Sequence, residues 1–143
     1  MSTFIVGVDR SDASRRAVEL AREWASESGS GRLVLAHVIP WSPYSFTSHE
    51  DNEERPVRRE EELTAAREQV LEPLVEFAGD TAKVETVAVH GHPAEKLNEI
   101  ARQYDDAHVL VGRTGESRLR ALFFGSLPAQ LIQIAEVPVT VVP

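Results

Sequence analysis

A chain of 143 residues suits one domain of ordinary size, and hydrophobic and charged shares of 42% and 27% are those of a globular protein that buries a substantial core. With 23 acidic residues against 15 Lys plus Arg, the formal net charge of -8 excludes a general nucleic-acid or anionic-membrane binder, since those need a basic field. Cys is absent, which excludes disulfides and thiolate chemistry; no apolar run approaches the ~18 residues of a membrane span and no signal peptide is read at Met1–Ile5, so a cytoplasmic location without membrane insertion is expected.

Phe4–Val8 is a short continuous apolar run, the pattern of a strand buried on both faces. It ends in Asp9-Arg10-Ser11-Asp12, a polar turn with good N-cap candidates. Ala17, Val18, Leu20, Ala21, Trp24 and Ala25 then recur at helical spacing up to a stop at Ser28–Gly31. Leu33–Val38 predicts a second buried strand. Residues 39 to about 58 follow no period and hold Trp41, Tyr44 and Phe46 beside an acidic cluster; a loop this long is functional or disordered, and its aromatics would lid a ligand or pack on the sheet edge.

Glu60 to Phe77 predicts an amphipathic helix with Leu63, Ala66, Val70, Leu74 and Phe77 on one stripe, and Pro73 kinks it or marks its last turn. Val84–Val89 reads as a third strand. His90-Gly91-His92-Pro93 turns into a helix carrying Ala94, Leu97, Ile100 and Ala101. His108–Val111 reads as a fourth strand, followed by a glycine-bearing segment from Gly112 to Gly125. Ser126 starts a last helix with Leu127, Leu131, Ile134 and Ala135 inward, and Val137–Val142 is a final strand. Alternating strands and helices give an α/β protein, a doubly wound parallel sheet with helices on both faces. Ligands in such sheets bind beyond the carboxyl ends of the strands. Asp9–Ser11, Val38, His90–His92 and Gly112–Gly115 all fall on that edge.

One segment carries a chemical signal. Gly112-Arg113-Thr114-Gly115, nine residues and then Gly125-Ser126 form G-x-x-G-(x9)-G-[ST], opening at a strand end and closing at a helix start. The glycines let backbone amides approach an anion, and Ser126 adds a hydroxyl at a helix N-terminus. It is neither a P-loop, which needs Gly-Lys-[Ser/Thr], nor the Rossmann G-x-G-x-x-G. Within residues 112–126, Arg113, Arg118 and Arg120 face only Glu116, which focuses an anionic ligand there. The plainer reading makes the glycines ordinary turns and Ser126 an N-cap.

With these residues in view, the sequence resembles the universal stress protein family in its small single-domain form, over the whole of residues 1–143. The likeness is carried by Ile5-Val6-Gly7-Val8-Asp9, His37-Val38, Gly91-His92-Pro93, the glycine segment and Val137-Pro138-Val139. It implies a Rossmann-like five-stranded sheet in the order 3-2-1-4-5, a nucleotide at its carboxyl edge, commonly ATP, and a homodimer often formed through the last strand, here Val137–Val142. By the resemblance Asp9 stands near the ribose or a metal such as Mg²⁺, and the Val38 backbone contacts adenine. Gly112, Gly115, Gly125 and Ser126 form the ribose-phosphate cradle, with Leu127 as a further amide. Val8, Arg10, Ser11, Arg113 and Thr114 complete the expected nucleotide-binding set. Arg10 stands where the family usually has Gly, which adds a phosphate contact or crowds the pocket, and the basic residue between the first two glycines is shifted by one; Pro128 either removes an amide donor, which favours AMP or cyclic AMP as alternative ligands, or is simply a helix-start residue.

His90 and His92 lack further ligands at a metal-site spacing, and Ser11, Ser14 and Ser126 lack a nucleophile elbow. The functional expectation is a nucleotide-binding sensor or signalling module of stress response, with an unknown protein partner and no assigned catalytic residue. The alternatives are a slow ATPase, a cyclic AMP or AMP binder, and a nucleotide-free dimeric scaffold.

Overall fold

The computed structural model describes residues 2–29, 31–40, 55–79, 83–115 and 126–143, with the backbone alone at Arg55 and Pro56. Five strands, β1 (Thr3–Gly7), β2 (Arg32–Ile39), β3 (Lys83–His90), β4 (Ala107–Gly112) and β5 (Val139–Val142), form one sheet in the order β3-β2-β1-β4-β5. All four pairings are parallel. The Rossmann-like order implied by the resemblance is therefore the order found. Between the strands run α1 (Asp12–Glu27), α2 (Arg55–Ala66), a π-helical segment (Arg67–Leu71), α3 (Glu72–Ala78), α4 (Pro93–Ala101) and α5 (Leu127–Ile134).

Period-two alternation along buried strands sends successive side chains to opposite layers. Phe4, Val6, Leu33, Leu35 and Leu110 meet Ala17, Val18, Ala21, Leu71 and Leu74 on the side of α1 and α3. Ile5, Val34, Ala36, Val109 and Val111 meet Ala94, Leu97, Ala101 and Leu131 on the side of α4 and α5. The central strands are therefore apolar on both faces, which is why their sequences read as continuous runs.

The helix expected over Glu60–Phe77 starts earlier, at Arg55, and residues 57–60 are exposed, which leaves no apolar period to read there. The π-helical segment sits immediately before Pro73. The Glu72 N–H reaches back five residues to the Arg67 carbonyl. In a regular α-helix the Pro73 ring would crowd the carbonyl four residues earlier, and the widened turn relieves that clash. The extra residue also rotates the helical turns beyond it. Leu71, Leu74 and Ala78 face the core, while Phe77, expected on the inward stripe, is 37% exposed beneath the Arg15 guanidinium. Ile134 is likewise found at the surface, 41% exposed rather than inward. The last strand starts at Val139 rather than Val137, because Pro138 has no N–H to donate; its carbonyl still accepts from Val109 N–H at 3.0 Å. No helix among the described residues is long and apolar enough to cross a membrane.

Candidate functional site

Strand order reverses at β1, whose neighbours β2 and β4 leave in opposite directions, so the carboxyl ends of β1 and β4 flank a crevice. The chain leaves β1 through Val8, Asp9 and Arg10 into α1. Ser11 is the N-cap, and its Oγ accepts from Ser14 N–H at 3.2 Å. Asp9 is tied down from several sides. Its Oδ1 accepts from Ser11 N–H at 2.8 Å and from Ser14 Oγ at 2.9 Å. Its own N–H donates to Ser14 Oγ at 2.9 Å. Ser14 is buried, so this small network is shielded from water and holds the carboxylate in one orientation. Asp9 is thus both a turn residue, bonded to Ser11 and Ser14, and a carboxylate whose Oδ2 faces the loop after β4.

From β4, two glycines approach that turn. A methyl group on Gly112 would lie 2.6 Å from Ala13 Cβ and 3.1 Å from the Ala13 carbonyl carbon, so this glycine lets α1 pack against the strand end. A methyl group on Gly115 would lie 2.8 Å from Asp9 Oδ2. Between them, Arg113 N–H donates to the Val142 carbonyl at 2.6 Å, so that amide serves the sheet, and the Arg113 side chain is exposed. Thr114 is exposed at the same rim. Ser126 caps α5: its Oγ accepts from Ala129 N–H at 3.3 Å. Pro128 has no N–H, so Leu127 is the amide this first turn can aim outward. Gly125, with Arg118, Arg120 and Glu116, lies outside the described residues, as do Trp41, Tyr44 and Phe46.

On the other side of β1, Val38 is buried near the end of β2. The neighbouring His37 Nδ1 lies 2.6 Å from the Val8 carbonyl. A further hollow of about 170 Å³ opens on the α1 side of the same turn, lined by Asp9, Arg10, Ser11 and Arg15 against Gln69 and Pro73 of the π-helical bend. His90 Nε2 lies 2.7 Å from a carboxylate oxygen of Glu62 on α2. Among the described residues no three His, Asp or Glu side chains converge as a metal cluster.

The structure thus brings Val8, Asp9, Ser11, Gly112 and Gly115 together at one rim. Two contributors were not singled out from the sequence: Ser14 as the anchor of Asp9, and His37 as the partner of Val8. The spacing Ser11-Asp12-Ala13-Ser14, a cap with a hydroxyl three residues on, was the legible sign of the first.

The fold and this rim define a class: a doubly wound α/β domain whose glycine-lined crevice lies at its topological switch point. The profile of the universal stress protein family matches residues 1–143, and the chain belongs to that family. It is 30% identical to universal stress protein Rv1636 of Mycobacterium tuberculosis strain H37Rv, over 98% of this chain and 94% of that protein. It is 26% identical to universal stress protein Rv1996 of the same strain, over 97% of this chain and 47% of that protein, so it spans about half the length of that relative. In structure it is similar to a universal stress protein solved in complex with cAMP, with a TM-score of 0.66, 24% identity, and 99% and 95% of the two chains covered.

Proposed function

We propose that residues 1–143 act as one nucleotide-binding domain, a stress-response module that senses or carries ATP and signals through its shape or partners. The observation that carries this reading is the meeting of Asp9 and Gly115 across the β1–β4 crevice, where a methyl group on Gly115 would come within 2.8 Å of Asp9 Oδ2. A ribose and phosphates fit such a rim. Carboxylate oxygens accept from sugar hydroxyls, while Leu127 N–H, Ser126 and the Arg113 guanidinium suit an anion. Gly125 and Arg10 belong to the proposed set as a close-approach position and a cation. The similar structure holding cAMP supports a nucleotide in this fold.

A Mg²⁺ ion is compatible with the donors present, since it takes one or two carboxylates with phosphates and water, and Asp9 is the carboxylate at the rim. Its Oδ1 accepts from Ser11 N–H and Ser14 Oγ, and its Oδ2 faces Gly115. Among the described residues the groups gathered here are amides, hydroxyls, the guanidinium groups of Arg10 and Arg113 and the Asp9 carboxylate, a set suited to binding more than to proton transfer.

Self-association belongs to the same proposal. β5 is an edge strand with Val141 39% exposed, and Ile132 and Ile134 of the adjacent α5 are exposed at 64% and 41%. Such an edge invites a second chain.

Calorimetric titration with ATP, AMP and cyclic AMP tests the binding. Micromolar to millimolar affinity for an adenine nucleotide is expected, and absence of binding to all three at millimolar concentration overturns the reading. Phosphate release measured beside an Asp9→Ala control separates binding from a slow ATPase.

A further inference from the structure

The pairing of β1 with β2 ends at Gly7 opposite Ala36, followed by one more bond from Val8 N–H to the Ala36 carbonyl at 2.8 Å. In a parallel ladder alternate residues turn their N–H and C=O to the same neighbour. Ala36 faces β1, and therefore so does Val38, whereas the Ile39 carbonyl faces β3 and accepts from Gly91 N–H at 3.0 Å. The next rung would carry Val38 N–H to the Val8 carbonyl. That rung is not made among the described residues. The Val8 carbonyl meets the imidazole of His37 instead, at 2.6 Å. A carbonyl can only accept, so Nδ1 of His37 carries the proton. The Val38 N–H is left facing the crevice from a residue 9% exposed, and a buried amide without a partner is costly unless something completes it.

We infer that His37 is a positioning residue for nucleobase recognition: by occupying the Val8 carbonyl it keeps the Val38 N–H out of the sheet and available to a purine. The Val38 carbonyl points to the same side. Together they offer a donor beside an acceptor, the complement of the ring nitrogen and exocyclic amine along an adenine edge. The inference rests on the nucleotide-binding reading above. It adds that the base position is created by a side chain that never touches the base.

The test compares the free wild-type protein with His37→Ala and His37→Asn. Val38 amide exchange is followed by NMR and ATP affinity by calorimetry. In His37→Ala the Val8 carbonyl is released, the Val38 N–H closes on it, its exchange slows at least about tenfold, and ATP affinity falls about tenfold, the worth of one hydrogen bond. The Asn amide nitrogen overlays Nδ1, so His37→Asn restores both values. An unchanged Val38 exchange rate in His37→Ala overturns the assignment of His37. So does a loss of affinity that His37→Asn fails to recover. A wild-type protein that binds no adenine nucleotide overturns the nucleotide reading itself, and the exchange comparison tells that failure from an error about His37 alone.

Discussion

Gly115 lies so close to Asp9 that a methyl group on it would come within 2.8 Å of Oδ2. A flexible carboxylate could swing aside, but this one is held through Oδ1 by Ser11 N–H and Ser14 Oγ. In Gly115→Ala either those bonds break or the loop after β4 moves outward, and both outcomes change the crevice. Gly115 is exposed, and among the described residues a side chain there would meet only Asp9, so the fold has little stake in it. Gly115→Ala is therefore expected to lower ATP affinity about tenfold or more while shifting the urea midpoint by less than the equivalent of ~1 kcal/mol. Wild-type affinity in this variant removes Gly115 from the binding rim.

Gly112 behaves differently although it belongs to the same motif. The space a side chain would need is occupied by the Cβ and backbone of Ala13, in the first turn of α1. Neither can move without displacing the helix from the sheet. Gly112→Ala is expected to destabilise the protein by roughly 1–3 kcal/mol, the usual cost of overpacking, whether or not nucleotide is present. Denaturant unfolding of the two alanine variants side by side separates a packing glycine from a ligand-facing one; equal destabilisation by both contradicts that division.

How far these roles were legible depends on what each residue does. The buried strands announce themselves because both faces are covered, and Ile5, Val34 and Val109 leave no polar alternation to misread. The glycine motif was legible as spacing, but spacing does not reveal that Gly112 serves helix packing and Gly115 the crevice. The start of α2 was hidden because residues 57–60 are exposed, and an exposed turn has no hydrophobic period. The π-helical bend was hinted at by Pro73, yet the outward rotation of Phe77 depends on one inserted residue that no periodic template includes. The contact of His37 is not legible in the sequence because its partner is the backbone carbonyl of Val8, just past β1 and 29 positions away.

Ser14 offers a third prediction. Its hydroxyl donates to Asp9 Oδ1 and accepts from Asp9 N–H, and it is 3% exposed. Ser14→Ala leaves the Asp9 N–H without that acceptor in a shielded place, at a cost of about 1–3 kcal/mol. It also frees the carboxylate to rotate, so ATP affinity falls with stability. Ser11→Ala removes the helix cap and costs about 1 kcal/mol, but Asp9 keeps its Ser14 bond and affinity changes less. A Ser14→Ala protein with intact stability would show that the network contributes nothing.

His108 supplies the pH dependence. On β4 it sits against the rings of Phe4 and Trp24, and its Nε2 lies 2.7 Å from Thr140 Oγ1 on β5. Burial disfavours the charged imidazolium and lowers its pKa below the ordinary 6.5, with the Asp106 charge opposing this in part. In the window below 6.5 and above the lowered folded value, the unfolded chain binds a proton here that the native chain does not. The unfolded state then holds more protons, so stability rises with pH across that window and is lost on acidification through it. The glutamine amide overlays Nε2 and keeps a partner for Thr140 without titrating. The drop in Tm between about pH 7.5 and about pH 5.5 is therefore expected to be smaller in His108→Gln than in the wild type. Because His37, His49, His90 and His92 are common to both proteins, the difference between the two drops isolates His108, and equal drops would show that this imidazole is as easily protonated in the folded chain as in the unfolded one.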